Sequence, residues 1–303
     1  MWSGSFGASG CGRGVPVMPW GMSSVENVTG PQAFHAEGPV WHPGWGGLRY
    51  VDLMAGDLLT LTGDGVTRRH VGTVAAFVRP RRDGGFVVAL EHALALADDE
   101  HSELRVMRPV VTDSAVRFND GTCSPDGTLY GGTMAYEQTP GAGTLYRFGA
   151  TLDAAEPIET GVTVSNGIGF SPDGTLAYYA DTPTGRIDVF DNVDDRLGQR
   201  RPFVDTGANP DGLCVDAEGG VWVACYGDSQ VRRYGADGRL DAVVEVPVTN
   251  VTACTFGGDD LATLYITTTR ENVPEGEQPD AGSVFATRPG VRGLPVAPYA
   301  GSR

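Results

Sequence analysis

Residues 167–191 read GIGFSPDGTLAYYADTPTGRIDVFD, and the order of turns and apolar runs in this stretch decides the fold. A first apolar run ends at the turn pair Asp173-Gly174. A second begins at Leu176, Thr184-Gly185 turns the chain again, and a third continues through Phe190. Gly and Asp favour tight turns for conformational and local hydrogen-bonding reasons, whereas Val, Tyr and Phe favour strands. Arg201 to Asp205 supplies a fourth strand, which completes a four-stranded antiparallel meander. The same grammar returns in GLCVDAEGGVWVACYGDSQVRRYGADG at 212–238.

Working outward, turn pairs recur at Pro43-Gly44, Asp83-Gly84, Asp126-Gly127, Asp173-Gly174, Glu218-Gly219 and Gly257-Gly258. Each precedes a strand candidate beginning at Leu48, Phe86, Leu129, Leu176, Val221 or Leu264, at steps of 38, 43, 47, 45 and 43 residues. That period is the one expected of propeller blades. A plain β-sandwich explains the turns but not the period, and no Trp-Asp pair ends a third strand as WD40 blades require. The expectation is an all-β, six-bladed β-propeller with four-stranded antiparallel blades over residues 22–303. The stretch Val25 to Phe34 is expected to close the ring as an outer strand beside residues 282–299.

The formal net charge of -16 disfavours nucleic acid and anionic membrane surfaces as partners. Five widely spaced cysteines without a CxxC pair argue against a disulfide framework or a structural zinc site. Residues 1–21 lack the basic start and apolar core of a signal peptide, and no apolar run is long enough to span a bilayer. The expectation is a cytoplasmic protein, monomer or weak homo-oligomer, with residues 1–21 as a flexible N-terminal extension.

Asn119, Asn166 and Asp211 each lie ten residues before the start of a strand, at Leu129, Leu176 and Val221. Glu37 lies eleven before Leu48. Residues at one phase of a repeat occupy equivalent places, so these oxygens should converge on the channel mouth, in the loops that lead into the first strands. Two carboxylates and two amide oxygens suit one hard divalent cation, Ca²⁺ first, with Mg²⁺ and Mn²⁺ open and Zn²⁺ less natural. Asn166-Gly167, Asp211-Gly212 and Asp120-Gly121 are also strong turn dipeptides, but each repeat already has its turn a few residues later. Arg117 in RFNDG either serves a ligand or pairs with Asp120 or another carboxylate. Motifs for a serine-hydrolase elbow, a zincin helix or a P-loop are absent.

AEGPVW, RFNDG followed by GGTMAYE, SNGIGFSPDGTLAYYADT, NPDGLCVDAEGGVWVACYG and AGSVFATRPGVRGLP stand in order along the chain. This set resembles the senescence-marker-protein-30, gluconolactonase and regucalcin-like family of six-bladed propellers. The resemblance implies that Glu37, Asn166 and Asp211 hold the metal. It also implies that Arg117, Asn119 and Glu137 contact substrate, which moves Asn119 from metal to substrate. SPDG at 124–127 and Gly169 after SNG depart from the family pattern. The expected activity is metal-dependent hydrolysis of a small-molecule sugar lactone, with Asp211 taking the proton of the attacking water. The alternatives are a phosphotriesterase-like hydrolase and a non-enzymatic Ca²⁺-binding protein.

Overall fold

The structure, a computed structural model, describes residues 24–301; the expected extension at 1–21 and Cys11 lie outside the described residues. Blade 1 comprises Ala36–His42, Gly47–Asp52, Asp57–Thr62 and Gly65–His70. Blade 2 follows with Ala75–Pro80, Phe86–Leu90, Leu94–Ala97 and Arg105–Val106, and blade 3 with Val116–Cys123, Leu129–Ala135, Gly143–Phe148 and Ala155–Val162. Blade 4 is Ser165–Phe170, Leu176–Asp181, Arg186–Val193 and Arg201–Asp205, with a short arm, Arg196–Leu197, on its third strand. Blade 5 is Asn209–Val215, Val221–Tyr226, Gln230–Tyr234 and Leu240–Glu245. Blade 6 takes Val251–Gly257, Thr263–Thr268 and Val284–Thr287 from the C-terminal part, and its outer strand, Glu26–Asn27, from the N-terminal part.

Pairing within each blade is antiparallel throughout, and Glu26 faces Ala286 as Asn27 faces Phe285. That pairing joins the two ends of the chain and leaves no open sheet between blades 6 and 1. Each first strand packs against the first strands of both neighbouring blades, so the six line one central channel. The second strands begin where the turn spacing places them at Phe86, Leu129, Leu176 and Val221, and one residue early at Gly47 and Thr263.

Strands buried on both faces account for the near-continuous apolar runs of the inner blades. Aromatic side chains weld adjoining blades: Phe77 meets Phe118 edge-on at 6.3 Å between blades 2 and 3, and Trp222 meets Phe256 at 5.7 Å between blades 5 and 6. Tyr130 and Phe170, 5.8 Å apart, do the same between blades 3 and 4. Such pairs add directional preference to the area they bury. Among the described residues, no helix is long and apolar enough to cross a membrane.

Candidate functional site

Every first strand slips register by one residue near its start. The slips fall between Glu37 and Val40, Ala75 and Phe77, Phe118 and Gly121, Ser165 and Ile168, Pro210 and Leu213, and Val251 and Ala253. A bulge of this kind bends the strand and re-aims the side chains in it. Asn119, Asn166 and Asp211 occupy the slips of blades 3, 4 and 5, and Glu37 stands one residue before the slip of blade 1. The loops expected to carry these residues are therefore strand, and the surplus turn dipeptides of the sequence are bulges. Gly167 and Gly212 permit the close approach of the next blade, since a Cβ would stand 2.5 Å from Leu213 N and 2.4 Å from the Ala253 Cβ respectively.

Acidic residues at the ends of second strands steady the segments leading in. Asp52 accepts the N–H groups of Phe34 and His35, each at 3.0 Å, just before Glu37. Asp181 accepts those of Thr163 and Val164, at 3.2 and 3.0 Å, just before Asn166. Thr182 then joins blades 4 and 5. Its hydroxyl receives the Asn166 Nδ2 at 3.1 Å and donates to the Pro210 carbonyl at 2.8 Å. This fixes the Asn166 amide with its oxygen left over.

Glu37, Asn166 and Asp211 are 6, 5 and 6 % exposed, so whatever satisfies them lies inside the channel. Asn166 Oδ1 and Asp211 Oδ1 are buried and have no hydrogen-bond partner. Burial pushes the Glu37 carboxyl up to about 8, the Asp120 charge adding to the effect. The Asp211 carboxyl is also raised well above its usual range, by burial first and then by the charges of Glu37 and Asp120. Two unpartnered acceptors beside mutually repelling carboxylates are what a bound hard cation resolves, and the oxygen-only set fits Ca²⁺. No grouping of three or more His, Cys, Asp or Glu side chains suited to a metal occurs among the described residues, so the amide oxygen of Asn166 is essential to this reading.

Beside this cradle, Arg117 donates to the Asn119 Oδ1 at 2.7 Å and to the Phe118 carbonyl at 2.9 Å. Asn119 passes the link to blade 4 by donating to the Ser165 carbonyl at 3.0 Å. The salt bridge weighed for Arg117 with Asp120 does not form: Asp120 faces Arg79 of blade 2 instead, at 3.8 Å. Sequence reasoning also passed over Tyr136, whose ring lies 5.6 Å beneath the Arg117 guanidinium, and Glu91, which accepts the Tyr136 hydroxyl at 2.6 Å. Glu137 sits on the exposed turn after Tyr136, outside this hydrogen-bonded network. His35 pairs with Glu271 at 3.0 Å, and the His42 ring caps a short turn by accepting the Gly44 N–H. Cys123, Cys214, Cys225 and Cys254 are free thiols.

Comparison with known proteins agrees with this fold. The family model for the SMP-30/gluconolactonase/LRE-like region matches residues 35–270. Regucalcin of Sus scrofa is 33% identical over 300 residues, covering 92% of this chain and all of that protein. Regucalcin of Homo sapiens is also 33% identical, over 301 residues with the same coverage. Among solved structures, a luciferin-regenerating enzyme superposes with a TM-score of 0.85 at 25% identity, covering 91% of this chain and 99% of its own. A calcium-binding protein, regucalcin from Agrobacterium tumefaciens, superposes with a TM-score of 0.82 at 28% identity, covering 88% and 94%. With its six bladed meanders, its ordered motifs and a match over most of its length, the chain belongs to the SMP-30/gluconolactonase/LRE-like family.

Proposed function

We propose that the protein is a divalent-metal-dependent lactonase that opens a sugar lactone, an aldonolactone in the first instance, at the mouth of its channel. The observation that carries this reading is the pair of buried, unpartnered oxygens, Asn166 Oδ1 and Asp211 Oδ1, beside Glu37. Glu37, Asn166 and Asp211 would hold the ion, Ca²⁺ first and Mg²⁺, Mn²⁺ or Zn²⁺ as alternatives. When bound, such an ion supplies Lewis-acid polarisation of the ester carbonyl and a lower pKa for the attacking water.

The remaining chemistry belongs to the chain. The Asp211 carboxylate takes the proton of the water. Arg117 presents donors to ring oxygens from a guanidinium already fixed by Asn119, Phe118 and the Tyr136 ring. Asn119 keeps an acceptor lone pair for a hydroxyl, and Glu137 meets the outer hydroxyls from the rim. The buried channel walls exclude bulk water and strengthen these contacts.

A panel of sugar lactones, assayed after chelation with Ca²⁺, Mg²⁺, Mn²⁺ and Zn²⁺ added singly, tests the proposal. Turnover restored by metal supports it. Metal binding with no lactone opened would leave a calcium-binding protein, and turnover of a phosphotriester alone would move the chemistry to phosphorus.

A further inference from the structure

We propose that Arg79 is a counter-charge that tunes the cradle's preference for divalent over trivalent cations, an inference that rests on the metal reading above. Arg79 is the one charged residue in the first strand of blade 2, Ala75–Pro80, and it is 8 % exposed. Its guanidinium donates to the carbonyl of Val78 at 2.7 Å and stands 3.8 Å from Asp120 Oδ1. That separation exceeds a hydrogen bond, so Arg79 acts on Asp120 by charge and not as a geometric clamp. Arg79 and Asp120 line a cavity of about 420 Å³ in the channel together with Gly38 and Gly212, the backbone neighbours of Glu37 and Asp211. The ion pair thus lies directly behind the cradle.

The charge balance follows from these placements. Glu37, Asp120 and Asp211 bring three buried carboxylates, and Arg79 and Arg117 bring two buried guanidiniums. Arg117 acts on Glu37 from the mouth as well as on Glu91 and Glu271, whereas Arg79 stands against Asp120. The cradle and its two arginines therefore carry a formal charge of −1, so a trivalent ion leaves a larger uncompensated charge than a divalent one. In a low-dielectric channel an uncompensated unit of charge is costly, so a change of one unit behind the ligands alters which ion valence is favoured. The contacts of Glu37, Asn166 and Asp211 need not change for this to happen.

Titration of the purified full chain with Ca²⁺ and, separately, with Tb³⁺ reads this preference without any assay of turnover. Arg79→Met should raise the Tb³⁺-to-Ca²⁺ affinity ratio about tenfold, and Asp120→Asn should lower it by a similar factor. The double variant should return the ratio to within about threefold of the parent, because the charge is again balanced. Opposite signs separate charge from damage: a ratio that stays constant in both single variants, or moves the same way in both, overturns the proposal. Should Arg79→Met fail to fold, Asp120→Asn alone still carries the test, and an unmoved ratio there overturns it. If the parent protein binds neither ion, or Glu37→Gln leaves Ca²⁺ binding intact, the metal reading itself has failed and the role of Arg79 falls with it.

Discussion

Two arcs of the channel use one backbone device for different ends. In blades 3, 4 and 5 the slipped residues include the polar groups Asn119, Asn166 and Asp211, the last two each with a buried oxygen that has no protein partner. In blades 2 and 6 they are Ala76 and Thr252. Ala76 has nothing to offer a ligand, and the Thr252 hydroxyl is consumed by the Ala36 carbonyl at 2.6 Å and by Thr267 at 2.9 Å. The bulge itself is thus a feature of ring assembly. Under the proposed function, chemistry sits on it where the slipped side chain carries an oxygen without a protein partner, as at Asn166 and Asp211. The two arcs predict different responses to substitution, and the experiments below set one against the other.

The largest effect is expected on the polar arc. Asp211→Ala should abolish Ca²⁺ binding in a calorimetric titration and lower lactone turnover by about a thousandfold or more. Thr252→Ala, on the other arc, should leave kcat/KM unchanged and cost about 1–3 kcal/mol in a denaturant melt, the value of a buried hydroxyl bond. Loss of turnover in Thr252→Ala at full stability would erase the distinction between the arcs. Gly167→Val should destabilise the fold by about 3 kcal/mol or more, because its side chain would overlap the Leu213 backbone.

A pH series sharpens the contrast. Glu37 and Asp211 are raised above the values they have in an unfolded chain, by burial and mutual charge, so the metal-free fold retains protons that the unfolded chain releases. Their contribution is present below about pH 4.5 and is lost as pH rises to about 8. Melting temperature in chelator should fall across that window, and saturating Ca²⁺ should flatten the fall. A flat profile in chelator contradicts the assignment of a repelling pair. Smaller still, Asn119→Ala should raise KM about tenfold with the metal retained. Glu137→Gln, on an exposed turn, should alter KM by less than about threefold.

The blades were legible because each repeat is a local unit: turn pairs and apolar runs recur at a fixed phase, and that phase locates Asn119, Asn166 and Asp211 as well. Glu37 fell one residue out of phase because it stands beside its bulge and not within it, Gly38 taking the slipped position with a φ of +53°. A bulge and a turn use the same Asn-Gly and Asp-Gly pairs, so sequence could not tell loop from strand at these points. The links between blades escaped for a different reason. Tyr136 and Glu91 are 45 residues apart, and Asp120 meets an arginine in another blade, at separations no repeat phase specifies. A signal for Arg79 was present all the same: a lone charge in the run AAFVRP, where a channel strand is otherwise apolar.

The central claim, that the polar arc gathers oxygens around one cation, is tested most directly by anomalous diffraction from crystals grown with Mn²⁺. The account predicts a single channel peak with the oxygens of Glu37, Asn166 and Asp211 at roughly 2.0–2.6 Å, the range of hard-cation contacts. A map with no peak among these three residues, or with the ion bound elsewhere, would contradict it.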